Sequence, residues 1–90
     1  MADRTANTVF FNSINPDRIS FRSNASAADT ITLPYGQALA VFGMNPEDDD
    51  DVIPTATVSG SVITFALVDD AGTSITVDTD LIGEVLLVSQ

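Results

Sequence analysis

Along Arg18-Ile19-Ser20-Phe21-Arg22-Ser23 apolar and polar residues alternate with a period of two, and this pattern constrains the fold more than any other feature of the chain. It puts Ile19 and Phe21 on one face and Arg18, Ser20 and Arg22 on the other, as in a strand buried on one side and solvated on the other. The same grammar recurs. Thr8 to Ser13 reads as a first strand, stopped by the turn Asn15-Pro16-Asp17. Thr30 to Leu33 sends Ile31 and Leu33 inward and ends at Pro34-Tyr35-Gly36. Thr55 to Ser59 and Ser61 to Val68 flank Gly60 as a hairpin, with Ile63, Phe65 and Leu67 on one face. Asp69-Asp70-Ala71-Gly72 is a turn, and Ser74 to Val77 follows with Ile75 and Val77 inward. Asp78-Thr79-Asp80 turns again, Leu81-Ile82-Gly83 bridges, and Glu84 to Ser89 closes the chain. Between these halves, Gln37 to Phe42 reads as a strand covered on both faces, or as a helical turn. Gly43-Met44-Asn45-Pro46 opens the least structured stretch.

No window sustains a 3.6-residue period. Seven or eight strands at roughly 8–12-residue spacing predict an all-β fold, an antiparallel sandwich or a small barrel. Ninety residues make one domain, 1–90, in which 1–13 is expected to serve as an assembly arm or an edge strand. A domain of this size buries only about 60–65% of the surface its unfolded chain exposes, so outside support from a partner is expected.

The inventory of side chains closes off most chemistry. Without cysteine or histidine there is no disulfide, no thiolate or imidazole metal ligand and no Ser–His–Asp or Cys–His site. Without lysine there is no Schiff base and no phosphate-cradling loop ending in that residue. Asp69-Asp70-Ala71-Gly72-Thr73 is distantly similar to an aspartic-protease signature, but Ala71 stands where a hydroxyl residue belongs, and a turn explains the same letters. The expectation is a non-enzyme with no cofactor. Glu47-Asp48-Asp49-Asp50-Asp51 has the carboxylates of a hard-cation site without the spacing of an EF-hand. It reads as a solvated loop tip, and no metal site is assigned.

Charge is segregated. The only cations, Arg4, Arg18 and Arg22, lie in residues 1–22 with Asp3 and Asp17, whereas residues 23–90 carry eleven acids and no base. Such a body repels phosphate backbones and anionic lipid, so neither nucleic acid nor membrane is an expected partner. No apolar run reaches a membrane-spanning length and the start lacks a secretory h-region, so synthesis as a soluble cytoplasmic chain is expected. Arginine beside aromatics is the composition enriched at protein interfaces. Adjacent Phe10 and Phe11 point to opposite faces of their strand, so burying both needs a covering layer, from the chain itself or from a partner. The candidate interface residues are therefore Arg4, Phe10, Phe11, Arg18 and Arg22.

With its small size, retained Met1, Thr/Ser/Ala/Val-rich strands such as Thr55-Ala56-Thr57-Val58-Ser59 and acidic body after Ser23, the whole chain resembles the β-rich decoration or cement proteins of tailed-phage capsids and related viruses. The resemblance implies a virion structural subunit, often a homo-oligomer, that reinforces the shell through contacts with itself or the major capsid protein. The alternative is a soluble binding or adhesion module assisted by a cation at the acidic loop.

Overall fold

The computed structural model describes residues 2–12, 18–47 and 52–88. A 3₁₀ turn at Thr5–Asn7 leads into seven strands: β1 Val9–Asn12, β2 Arg18–Ala25, β3 Thr30–Thr32, β4 Ala38–Pro46, β5 Ile53–Ser59, β6 Val62–Val68 and β7 Thr79–Leu87. Two sheets form, one in the order β1-β2-β7-β4 and one in the order β3-β6-β5, with every pairing antiparallel. The protein is thus an all-β sandwich; the sheets do not close into a barrel.

Alternation decides which side chains meet between the sheets. Ile19 and Phe21 of β2, Leu81 and Val85 of β7, Ile31 of β3, and Ile63, Phe65 and Leu67 of β6 are all essentially inaccessible to solvent. They form one core cluster, at whose centre the Phe21 and Phe65 rings lie 6.0 Å apart and tilted by 41°, within the range in which aromatic pairs add about 0.5–1.5 kcal/mol beyond area burial. The expected hairpin is present: Ser59 pairs with Val62 across Gly60-Ser61, and Gly60 has φ +60°, as the first residue of a type II′ turn requires.

Three expectations are corrected. Ser74 to Val77 forms no strand beyond an isolated bridge of Ser74 to Val68: the Ile75 amide donates to Leu67 O in β6 while Ile75 O accepts from Ala27 in the turn after β2, so its backbone continues no ladder. Ile75 packs on the core, but Val77 is 67% exposed. Residues 78–83 are not a turn and a bridge. From Thr79 they belong to β7, whose inward series is Thr79, Leu81, Gly83, Val85 and Leu87. Gln37 to Phe42 is neither doubly covered nor helical. From Ala38 it belongs to an edge strand with Leu39, Ala40 and Phe42 exposed, which runs on through Gly43-Met44-Asn45-Pro46. Pro46 is tolerated there because an edge strand has one side with no ladder to donate to.

The continuation of β4 depends on a bulge. Phe42 pairs with Glu84 and Asn45 with Ile82, so Gly43 and Met44 together stand against the single residue Gly83. Gly43 takes φ +65°, which a bulge of this kind assigns to glycine. Gly83 faces the core beside Phe21, and a Cβ there would lie 2.8 Å from Phe21 Cζ and 2.9 Å from Met44 Cγ. The missing side chain is the space those two side chains occupy. Gly83→Ala is expected to destabilise the fold by about 1–3 kcal/mol through overpacking, read as a lower urea midpoint at unchanged slope. An unchanged midpoint would show that Phe21 and Met44 yield freely.

Candidate protein-docking surface

The strand registers line up side chains across the outer face of the four-stranded sheet. Phe11 on β1 pairs with Ser20 on β2, Ser20 with Glu84 on β7, and Glu84 with Phe42 on β4. The next row reads Val9, Arg22, Ile82 and Asn45. Phe11 and Phe42 thus stand at the two sides of the sheet, three strand spacings or about 14 Å apart, with Ser20 and the Glu84 carboxylate between. The result is a groove of about 420 Å³ walled by Phe11, Phe42 and Ile82, with Ser20 and Gly83 contributing to its lining. Val9, Phe11, Phe42 and Ile82 are 54%, 49%, 38% and 38% exposed, a cluster of large apolar side chains rather than the scattered single ones that are ordinary on a surface.

Charge on this face is balanced locally. Arg18 Nη1 lies 3.9 Å from Glu84 Oε2, and its guanidinium carbon sits 5.5 Å from the centroid of the Phe42 ring. Arg22 Nε donates to Glu47 Oε1 at 2.7 Å, and Asn24 Nδ2 donates to Asp80 Oδ1 at 2.7 Å. Exposed pairs of this kind contribute about 0–1 kcal/mol each, so a partner can rearrange them at small cost. Their larger effect is to set two of the three arginines of an acidic molecule on one face, where each pairs with a carboxylate.

The five residues singled out from sequence divide. Phe11, Arg18 and Arg22 lie on this outer face. Phe10, the neighbour of Phe11, turns inward and packs against the core, so the chain itself covers the inner side of β1 while the outer side stays open. Arg4 belongs elsewhere: its Nε donates to Asp29 Oδ2 at 2.8 Å and its Nη2 to Asp78 Oδ1 at 2.7 Å. Phe42 and Ile82 were not anticipated. The signal for Phe42 was its adjacency to inward Val41, and for Ile82 its place between inward Leu81 and Gly83.

Asp29 was likewise not anticipated, and it ties the N-terminus down. It is only 3% exposed, and besides Arg4 it accepts the Ala2 amide, the Ser26 amide and the Ser26 hydroxyl, each at 3.0 Å. Burial would raise its pKa, but the backbone bonds from Ser26 and Ala2, the Ser26 hydroxyl and the Arg4 guanidinium outweigh that and hold the carboxyl well below the usual carboxylate range. The segment so fixed lies along β3: Thr30 N donates to Ala2 O at 2.9 Å and Arg4 N to Thr30 O at 2.7 Å. Residues 2–5 are therefore not a free arm.

Two other sequence features resolve differently. Asp69 Oδ1 accepts the amides of Ala71 and Thr73, both at 2.9 Å, so that carboxylate closes its own turn. Of the acidic run, Asp48 to Asp51 lie outside the described residues, as does the Asn15-Pro16-Asp17 turn; among the described residues no group of three carboxylates converges as a metal site would require. Comparison with protein-family models, curated proteins and solved structures finds no match to this chain.

The Asp29 network makes a signed prediction. Its folded pKa lies below the unfolded value of about 3.9, so the stabilisation is fully present above about pH 4 and is lost as pH falls further. Asp29→Asn is expected to cost about 3 kcal/mol at neutral pH by leaving Arg4 and two amides poorly matched, a drop in Tm of roughly 12–24 °C. The gap between wild type and variant should narrow as pH falls toward about 2. A gap independent of pH would show that the carboxylate charge is not what the network uses.

Proposed function

We propose that this protein is an assembly subunit that docks on another protein through the outer face of its four-stranded sheet, and within that class a capsid decoration subunit that reinforces a virion shell. The row Phe11, Ser20, Glu84 and Phe42 carries the docking reading. It sets two exposed aromatics beside a shallow groove on a rigid sheet, with arginines next to them, and aromatic and arginine side chains dominate binding energy at protein interfaces. Net charge −10 supports the same reading. Repulsion keeps free copies apart, while the outer face of the four-stranded sheet, which gathers two of the three arginines beside exposed apolar side chains, is left to approach a partner. The virion assignment rests on the resemblance in size and composition, and on a side-chain inventory without histidine, cysteine or lysine.

Loading of purified shells tests this. Phe11→Glu and Ile82→Glu change exposed side chains, so each variant should melt within a few degrees of wild type. Each should bind shells at least 30-fold more weakly, the equivalent of about 2 kcal/mol for a central interface residue. Thr57→Glu, on the exposed face of the other sheet, should bind like wild type. Normal loading of the first two variants with failure of the third would move docking to the opposite sheet and overturn the proposal.

A further inference from the structure

The geometry points to β1 as a self-association site, where a second copy of this chain adds its own β1 antiparallel and joins two four-stranded sheets into one of eight strands. The other sheet edges are each occupied or blunted. The edge of β3 is taken by the N-terminal segment, which bridges Asp3 to Thr30 and supplies the Thr5 hydroxyl to Thr32 N at 2.9 Å. The edge strands β4 and β5 face each other across a groove lined by Val41 to Asn45 and Pro54 to Ala56. They also carry a bulge, Pro46 and Pro54, devices that discourage strand addition. Among the described residues β1 pairs on one side only, with β2. Its sequence Val9-Phe10-Phe11-Asn12 holds no charge, proline or glycine. An edge of that composition is a template for a further strand.

Two observations favour a second copy as the occupant. The first is symmetry. Continuing the sheet with both inner faces on the same side requires a two-fold axis through a residue rather than between residues. Val9-Phe10-Phe11 has apolar residues on both sides of Phe10. An axis there sets Phe10 against its own copy and Val9 against Phe11 twice, matching apolar with apolar at every pair. An axis one residue further on would set Phe10 against Asn12. The second is charge. Every cation of the chain lies in the first 22 residues and eleven of the thirteen acids beyond them. The cross-strand neighbours of Val9 and Phe11 are Arg22 and Ser20, with no carboxylate among them. Pairing through β1 brings together the parts of two net −10 molecules that repel least. The association uses the backbone edge of β1 and shell docking the outer face of the sheet, with Val9 and Phe11 bordering both.

Because the chain has no cysteine, single cysteines report the register directly. Opposite Cα atoms in an antiparallel pair lie about 4.5–5.5 Å apart, within disulfide reach. In this register each Val9 is about 8 Å from its own copy, beyond reach. V9C and F11C chains mixed under mild oxidation are expected to give a V9C–F11C product several-fold in excess of the two homodimers combined. Light scattering of the unmodified chain should show mass shifting from monomer to dimer as salt rises from about 0.01 to 1 M, where the screening length falls from about 30 to 3 Å. V9E, at a position 54% exposed, should remain monomeric throughout with an unchanged melt. A monomer at all salt concentrations, or a dimer whose cross-links show no preference for the mixed product, overturns the proposal. Shell docking that persists in either case would leave docking through the outer face standing.

Discussion

Gly83 has no side chain, and the packing of the core and of the edge strand β4 both follow from that. Gly83 occupies an inward position in the central strand β7, where a Cβ would strike Phe21 and Met44. The vacancy is filled by the Phe21 ring, which meets Phe65 across the sandwich, and by Met44 from the neighbouring edge. Met44 can turn inward only because β4 carries an extra residue there, with Gly43 at positive φ. That bulge leaves Phe42 on the outside at the side of the sheet. The core's need for aromatic volume and the groove's shape therefore share one cause.

Electrostatics in this chain is a matter of where few cations are placed. Three arginines among thirteen acids cannot neutralise the molecule, so each acts locally. Arg4 works with the largely buried Asp29 to hold the N-terminal segment over the β3 edge, where low exposure makes charge-assisted hydrogen bonds strong. Arg18 and Arg22 form exposed pairs that add little to folding but place both guanidinium groups on the outer face of the larger sheet. The charge asymmetry visible in the sequence thus separates into one structural arginine and two surface ones.

How far the sequence was legible follows from what each residue's partners are. β2 and β6 were readable because their inward residues, Ile19 and Phe21, and Ile63, Phe65 and Leu67, are large and strictly alternate with outward ones. β7 was misread because two of its inward positions are Thr79 and Gly83 and its outward ones include Ile82, which inverts the usual apolar-in rule at its centre. β4 was cut short because Gly-Met-Asn-Pro is loop chemistry in isolation and becomes strand only through a bulge at an edge. Of the candidate interface residues, Phe11, Arg18 and Arg22 meet on one surface because period-two geometry carries from strand to sheet. Arg4 does not, because its partners Asp29 and Asp78 are 25 and 74 residues away, and only the fold brings them within reach.

Solvent accessibility with and without a bound partner decides whether the outer face of the four-stranded sheet is the docking face. Hydroxyl-radical footprinting would compare the free protein with the protein mixed with purified shells, the docking partner proposed for it. Loss of labelling at Phe11, Phe42 and Ile82, with Ile53 and Val62 on the opposite sheet labelled equally in both states, is what the proposed docking face requires. Protection of Ile53 and Val62 while the groove residues stay reactive would contradict it.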